Sequence, residues 1–102
     1  MPEFVPVLSV ADLPPGQAAE VTVGNLAVAL FNVGGTIHAL TNLCPHRGGP
    51  LGQGFVEGSE VSCPWHNYTF DVRTGENVVD PSLKVDRFDV KVEDGRVFVK
   101  VG

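Results

Sequence analysis

Two short segments, Cys44-Pro45-His46 and Cys63-Pro64-Trp65-His66, each pair one thiol with one imidazole. Sixteen residues, Arg47 to Ser62, separate them. The chain has only two cysteines, both in these segments, and His46 and His66 are two of its three histidines. A fold that brings the segments face to face would gather two sulfurs and two nitrogens at one place. A domain this small gains from such a metal staple.

The donor set suits a [2Fe–2S] centre in which two histidines replace two cysteines on one iron. Cys44 and Cys63 would then hold one iron, and His46 and His66 the other, with each segment spanning both metals. Imidazole is neutral, so an iron with two histidine ligands carries less negative charge and accepts an electron more readily. The class lies at roughly −150 mV or above, against about −400 mV for all-thiolate plant-type centres. Pro45 and Pro64 follow the cysteines directly and stiffen the chain there. Glycines 48, 49, 52 and 54 would allow tight turns and bring backbone N–H groups near the sulfides. Two competitors stay open. Structural zinc sites of two Cys and two His pair like with like, at C-x₂₋₄-C and H-x₃₋₅-H spacing, whereas both segments here are mixed. A Cys44–Cys63 disulfide would account for the thiols and leave the matched histidines unexplained.

A chain of 102 residues accommodates one domain, here residues 1–102. The formal net charge of −5 argues against nucleic acid, whose phosphates demand a basic footprint. The longest apolar run, Leu26 to Phe31, is too short to cross a bilayer. Met1-Pro2-Glu3-Phe4 has neither a basic n-region nor an apolar h-region, so no secretory signal or membrane anchor is expected. The expected location is the cytoplasm.

Short strands between Gly, Pro and Asp turns predict an all-β domain, with no helical periodicity sustained over three turns. Phe4 to Val10 is extended and contains Pro6, which suits an edge. Glu20 to Val23 and Leu26 to Val33 flank Gly24-Asn25, and Gly34-Gly35 turns the chain into Thr36 to Leu40. Phe88 to Val92 and Val97 to Val101 alternate around Asp94-Gly95, a terminal hairpin with one buried face. The stretch from about 41 to 76 differs in character. It holds both Cys/His segments and the short piece Tyr68 to Val72, and reads as a cluster-binding subdomain inserted into a small barrel-like base.

The two segments, with Phe70-Asp71 and Thr74-Gly75 downstream, resemble the Rieske ferredoxins of bacterial aromatic-ring dioxygenase and related systems. The resemblance runs over nearly the whole chain, including Asp12-Leu13-Pro14-Pro15-Gly16 and the Asp94-Gly95 hairpin. It implies the Rieske (ISP-domain) fold of three antiparallel sheets, with a Rieske-type [2Fe–2S] cluster at one tip and its histidine ligands near the surface. It further implies a monomeric electron carrier without catalytic residues, between an NAD(P)H-dependent ferredoxin reductase and a terminal oxygenase. Rieske proteins of respiratory and photosynthetic complexes carry an extra disulfide and two hydroxyl donors to the cluster. The matching positions here are Gly49 and Trp65, and Tyr68 and Phe70. Fewer hydroxyl donors predict a potential at the negative end of the class range. The family's proline-rich cover corresponds to Asp80-Pro81-Ser82-Leu83, whose single proline predicts a shorter or less rigid cover.

His38 is the spare histidine, on a predicted strand, and is assigned a structural or surface role. Trp65 would shield the cluster or anchor its loop, and Arg47 would aid docking or remain solvated. The glycines of 48–54 precede no Gly-Lys-Ser/Thr, so a phosphate loop is rejected. Two other functions compete with the electron carrier. One is the small Rieske-like subunit of an assimilatory nitrite reductase; the other, from a different class, is a zinc- or disulfide-stapled interaction module. A complete oxygenase would need a second iron site, for which only His38 is left.

Overall fold

The strand Leu26–Val33 is apolar at nearly every position because both its faces are covered. The computed structural model describes residues 4–42, 50–62, 68–80 and 82–100. Within them lie nine strands. They are β1 (Phe4–Ser9), β2 (Ala18–Val23), β3 (Leu26–Val33), β4 (Thr36–Thr41), β5 (Phe55–Glu57), β6 (Glu60–Ser62), β7 (Thr69–Asp71), β8 (Arg87–Glu93) and β9 (Arg96–Lys100). Two single-turn 3-10 helices, Val10–Asp12 and Leu51–Gln53, complete the list.

One antiparallel order runs β1-β9-β8-β4-β3-β2, and a separate sheet runs β5-β6-β7. The long order is two three-stranded ladders meeting at a narrow seam, Ala39↔Phe88 and Leu40↔Arg87. With that seam taken as a boundary, the molecule has the three antiparallel sheets that the resemblance implies. The outer strands β1 and β2 also touch, so the ladders curl toward closure.

Side chains of a strand point alternately to opposite faces, and β3 uses both. Val28 and Leu30 face Leu13, Ile37, Ala39, Val97 and Val99. Ala29 and Phe31 face Leu40, Leu51, Val61, Phe70, Val72 and Val85. The β2-β3-β4 ladder is therefore a middle layer. On one side it meets β1-β9-β8, and on the other the small sheet.

The expected turns are present. Gly34 and Gly35 both have positive φ, at 59° and 100°, as do Asp94 and Gly95, at 53° and 75°. Two consecutive positive φ values are the geometry of the hairpin turns that match strand twist. β1 is an edge that accommodates Pro6, which has no N–H to donate; Pro6 pairs with Phe98, and the register shifts between Pro6 and Leu8. The structure adds one feature and corrects one expectation. The middle stretch contains β5 and β6, which are three residues each and too short to show a period. The terminal hairpin's buried face also ends before Val92, which is 52% exposed beyond the last core contact of β8. No helix among the described residues is long and apolar enough to cross a membrane.

Phe31 is fully buried between the middle layer and the small sheet. Phe31→Ala should lower unfolding stability by about 3–5 kcal/mol, because it removes a large apolar group and leaves a cavity. Chemical denaturation measures this; a loss under about 1 kcal/mol would contradict the two-sided packing of β3.

Candidate metal centre

Asn42 follows the end of β4 and precedes the first Cys/His segment by two residues. Asn42 is 6% exposed, and every polar arm of it is used. Its backbone N–H donates to the Ala27 carbonyl at 3.0 Å, and its own carbonyl accepts from Leu51 N–H at 2.8 Å. Its Oδ1 accepts from Gly52 N–H at 2.7 Å, and its Nδ2 donates to Glu20 Oε2 at 2.7 Å. Gln53 Nε2 donates to the other Glu20 oxygen at 2.9 Å. Residue 42 is thus tied to residues 51 and 52, so the two ends of the intervening stretch are held together. Glu20 projects from β2 and joins both ends. Donors from Asn42 first, and then Gln53, hold its carboxyl below the usual range, against a weaker opposing effect of burial.

The second segment is bracketed by β6 and β7. Ser62 pairs with Thr69, and their hydroxyls lie 3.1 Å apart. The two brackets touch one another at Gly54. A Cβ there would collide with the Ser62 carbonyl oxygen and crowd Val61 Cγ2 at 3.0 Å and the Leu51 carbonyl at 3.1 Å. Gly54 has an ordinary extended backbone, with φ −77°, so glycine is needed here for space and not for conformation. Gly52 is confined likewise, by the Glu20 side chain, the Ala19 carbonyl and Asn42 Oδ1.

Beyond β7 the chain turns back at Asp71. Gly75 N–H donates to the Asp71 carbonyl at 2.7 Å, with Gly75 at φ 82°, where a side chain would also strike the Val85 carbonyl. Arg73 grips the Asp71 carboxylate through Nε at 3.1 Å and an Nη at 2.9 Å, which lowers the carboxyl's proton affinity. Residues 77–80 and 82–83 then make a set of local hydrogen bonds. Buried Asn77 accepts the N–H groups of Val79 and Asp80, each at 2.9 Å. Its own N–H donates to the Leu83 carbonyl at 2.9 Å. Asp80 accepts from the N–H and hydroxyl of Ser82. Val78 N–H donates to the Thr69 carbonyl at 3.0 Å, fixing the loop beside the second segment's bracket. Pro81, the single proline of the expected cover, lies outside the described residues. Asx-type side-chain bonds from Asn77 and Asp80 tie the described residues on either side of it.

The sequence-predicted ligands Cys44, His46, Cys63 and His66 lie outside the described residues, as do Arg47, Gly48, Gly49, Trp65 and Pro81. Among the described residues no group of three or more His, Cys, Asp or Glu could hold a metal. Two glycine N–H groups expected near sulfides are committed elsewhere, Gly52 to Asn42 and Gly54 to the Leu51 carbonyl. Those glycines are selected by close packing. His38 sits half-buried on β4, opposite Phe31. Burial first, and then Arg87, lower its proton affinity; Asp71 partly opposes them. It lies on a strand, where the sequence placed it. Phe70 is fully buried and has no hydroxyl to offer. Asn42, Glu20 and Asn77 were not singled out by sequence. The available signal was the position of Asn42, two residues before the first cysteine.

The brackets suit the donor set. Each of the two juxtaposed brackets frames a segment that carries one thiol and one imidazole, as a cluster with two Cys and two His ligands requires.

Comparisons with known proteins agree. The family described as the Rieske [2Fe-2S] domain matches residues 3–95. The ferredoxin component of the naphthalene 1,2-dioxygenase/salicylate 5-hydroxylase systems of Ralstonia sp is 40% identical over 91 residues, covering 88% of each chain. The solved ferredoxin of carbazole 1,9a-dioxygenase from Nocardioides aromaticivorans IC177 is 32% identical with a TM-score of 0.87, covering 94% of this chain and 95% of that one. A chain in the solved complex of reduced oxygenase and oxidized ferredoxin in carbazole 1,9a-dioxygenase is 30% identical, also at TM-score 0.87, covering 95% of this chain and 92% of that one.

Gly54→Ala should cost about 1–3 kcal/mol and speed loss of bound iron, since backbone must move at the contact between brackets. Denaturation and metal-release assays measure it, and an unchanged variant would refute the spatial argument. The lowered proton affinity of Glu20 also carries a sign. Its stabilising effect is fully present above the ordinary carboxylate range, and it is lost as pH falls through the depressed native value. Unfolding stability should therefore fall with acid less steeply in Glu20→Gln than in the wild type. Identical slopes would contradict the network.

Proposed function

The chain belongs to the Rieske [2Fe-2S] domain family, and from that premise we propose that it is a ferredoxin passing single electrons from an NAD(P)H-dependent reductase to a terminal oxygenase. The observation that carries this reading is the near-full-length match to dioxygenase ferredoxin components, on both chains and in both sequence and fold. In this reading Cys44 and Cys63 hold one iron, and His46 and His66 hold the other, in the subdomain of about residues 41–76. When bound, the Rieske-type [2Fe–2S] cluster takes up one electron and gives it back. The chain's own contribution is to fix the ligand segments and to keep the surroundings rigid, so that little rearrangement accompanies the change of charge.

The surroundings also bear on the potential. The side chain at position 70 is a buried phenyl with no donor to offer. That supports a potential at the negative end of the class range. Phe55 at 72% exposure pairs with Ser62 across the small sheet, and Val79 at 88% lies on the loop bonded to Thr69. These apolar groups flank the second segment's bracket and suit brief docking of the oxygenase. The oxygenase reading is preferred to the nitrite reductase alternative because these full-length relatives serve dioxygenase systems. Family membership likewise sets aside the zinc- or disulfide-stapled module.

Mixing the protein with NAD(P)H and a dioxygenase-system reductase should bleach the oxidised visible spectrum. Adding terminal oxygenase, aromatic substrate and oxygen should restore it. Failure to exchange electrons with either protein at a useful rate would contradict the carrier role. His66→Cys should lower the midpoint potential or lose the cluster, whereas His38→Gln should do neither. Voltammetry and iron analysis distinguish the two, and cluster loss in the His38 variant would overturn its structural assignment.

A further inference from the structure

We propose that Asn42 is a positioning residue for the electron-transfer centre, and that Glu20 holds its amide in the orientation this requires. The inference rests on the assignment of Cys44 and His46 as ligands. Asn42 stands two residues before Cys44 and is tied to the returning chain by two bonds, from Leu51 N–H to its carbonyl and from Gly52 N–H to its Oδ1. An asparagine amide can point either way, and only one orientation offers Oδ1 to Gly52. Glu20 settles the choice, because its carboxylate can accept only from the Nδ2 side, at 2.7 Å. Gln53, on the returning chain, donates to the same carboxylate. The β2 residue therefore sets the orientation of the residue that follows β4, which sets where the chain re-enters after the first ligand pair. The re-entry continues directly into Gly54, where it meets the second bracket at Ser62. A shift at Asn42 thus moves one ligand pair relative to the other.

The logic allows a polarity swap. Asn42→Asp keeps the acceptor for Gly52 but removes the donor and sets two carboxylates against each other. Adding Glu20→Gln restores a donor from position 20 to position 42, and still leaves an oxygen for Gln53. The anaerobically prepared holoproteins are compared by cluster loss in excess EDTA and by the EPR spectrum of the reduced state. The single variant should lose its cluster on the order of ten-fold faster than wild type and show shifted or broadened EPR lines. The double variant should regain the wild-type spectrum and most of the wild-type lifetime. A single variant matching wild type, or a double variant no better than the single, overturns the proposal. Faster loss with an unchanged spectrum reduces Asn42 to a stability residue and also overturns it. If the single variant is recovered without cluster, a loaded double variant supports the proposal and an unloaded one overturns it. Wild-type protein that binds no iron would instead overturn the ligand assignment, and the proposal with it.

Discussion

The close approach of Gly54 to the Ser62 carbonyl is the contact that sets the two halves of the proposed centre's frame against each other. In the proposed reading two chain segments, each with one sulfur and one nitrogen donor, serve a single pair of metals. Neither segment can form the site alone. Their relative placement must be set by what brackets them, because a donor displaced by a fraction of an ångström is lost to the coordination sphere. The chain meets this need with a residue that has no side chain. It lies at the point where the first bracket's return strand enters the small sheet that carries the second.

The rest of the architecture stiffens that contact. The residue leading to the first segment, Asn42, is tied to the middle layer, and those flanking the second, Ser62 and Thr69, are paired in the small sheet. Between these layers lie Leu40, Leu51, Val61 and Phe70, all fully buried. A close-packed interior transmits position because it has little free volume to absorb movement. The far ladder, β1-β9-β8, contributes Val97 and Val99 to the other face of β3 and so backs the middle layer. Asn77 orders the remaining loop with side-chain acceptors, again without a hydrophobic contribution of its own.

Much of this was legible in the sequence, for identifiable reasons. Gly34-Gly35 and Asp94-Gly95 announce hairpins, because few other residues accept two positive φ values in succession. The Cys/His segments were conspicuous because they use every cysteine in the chain. Other features left no local trace. β5 and β6 are too short for alternation to be seen, and Val56 and Val61 gain meaning only across the sheet. Asn42 beside a metal motif looks like any turn residue; its partners lie 10 and 22 residues away. Gly52 and Gly54 suggested backbone freedom, whereas their role is to leave room for Glu20 and Ser62. Long-range close approach cannot be read from composition. His38 was placed correctly on its strand, but its setting between Arg87 and Asp71 depends on three elements meeting.

The central claim is that one iron is held by the imidazoles of His46 and His66. The most direct measurement is pulsed EPR of the anaerobically reduced protein, which detects nitrogen bound to the paramagnetic centre. Two strongly coupled imidazole nitrogens are the predicted result. A reduced centre with no coupled nitrogen would contradict the account.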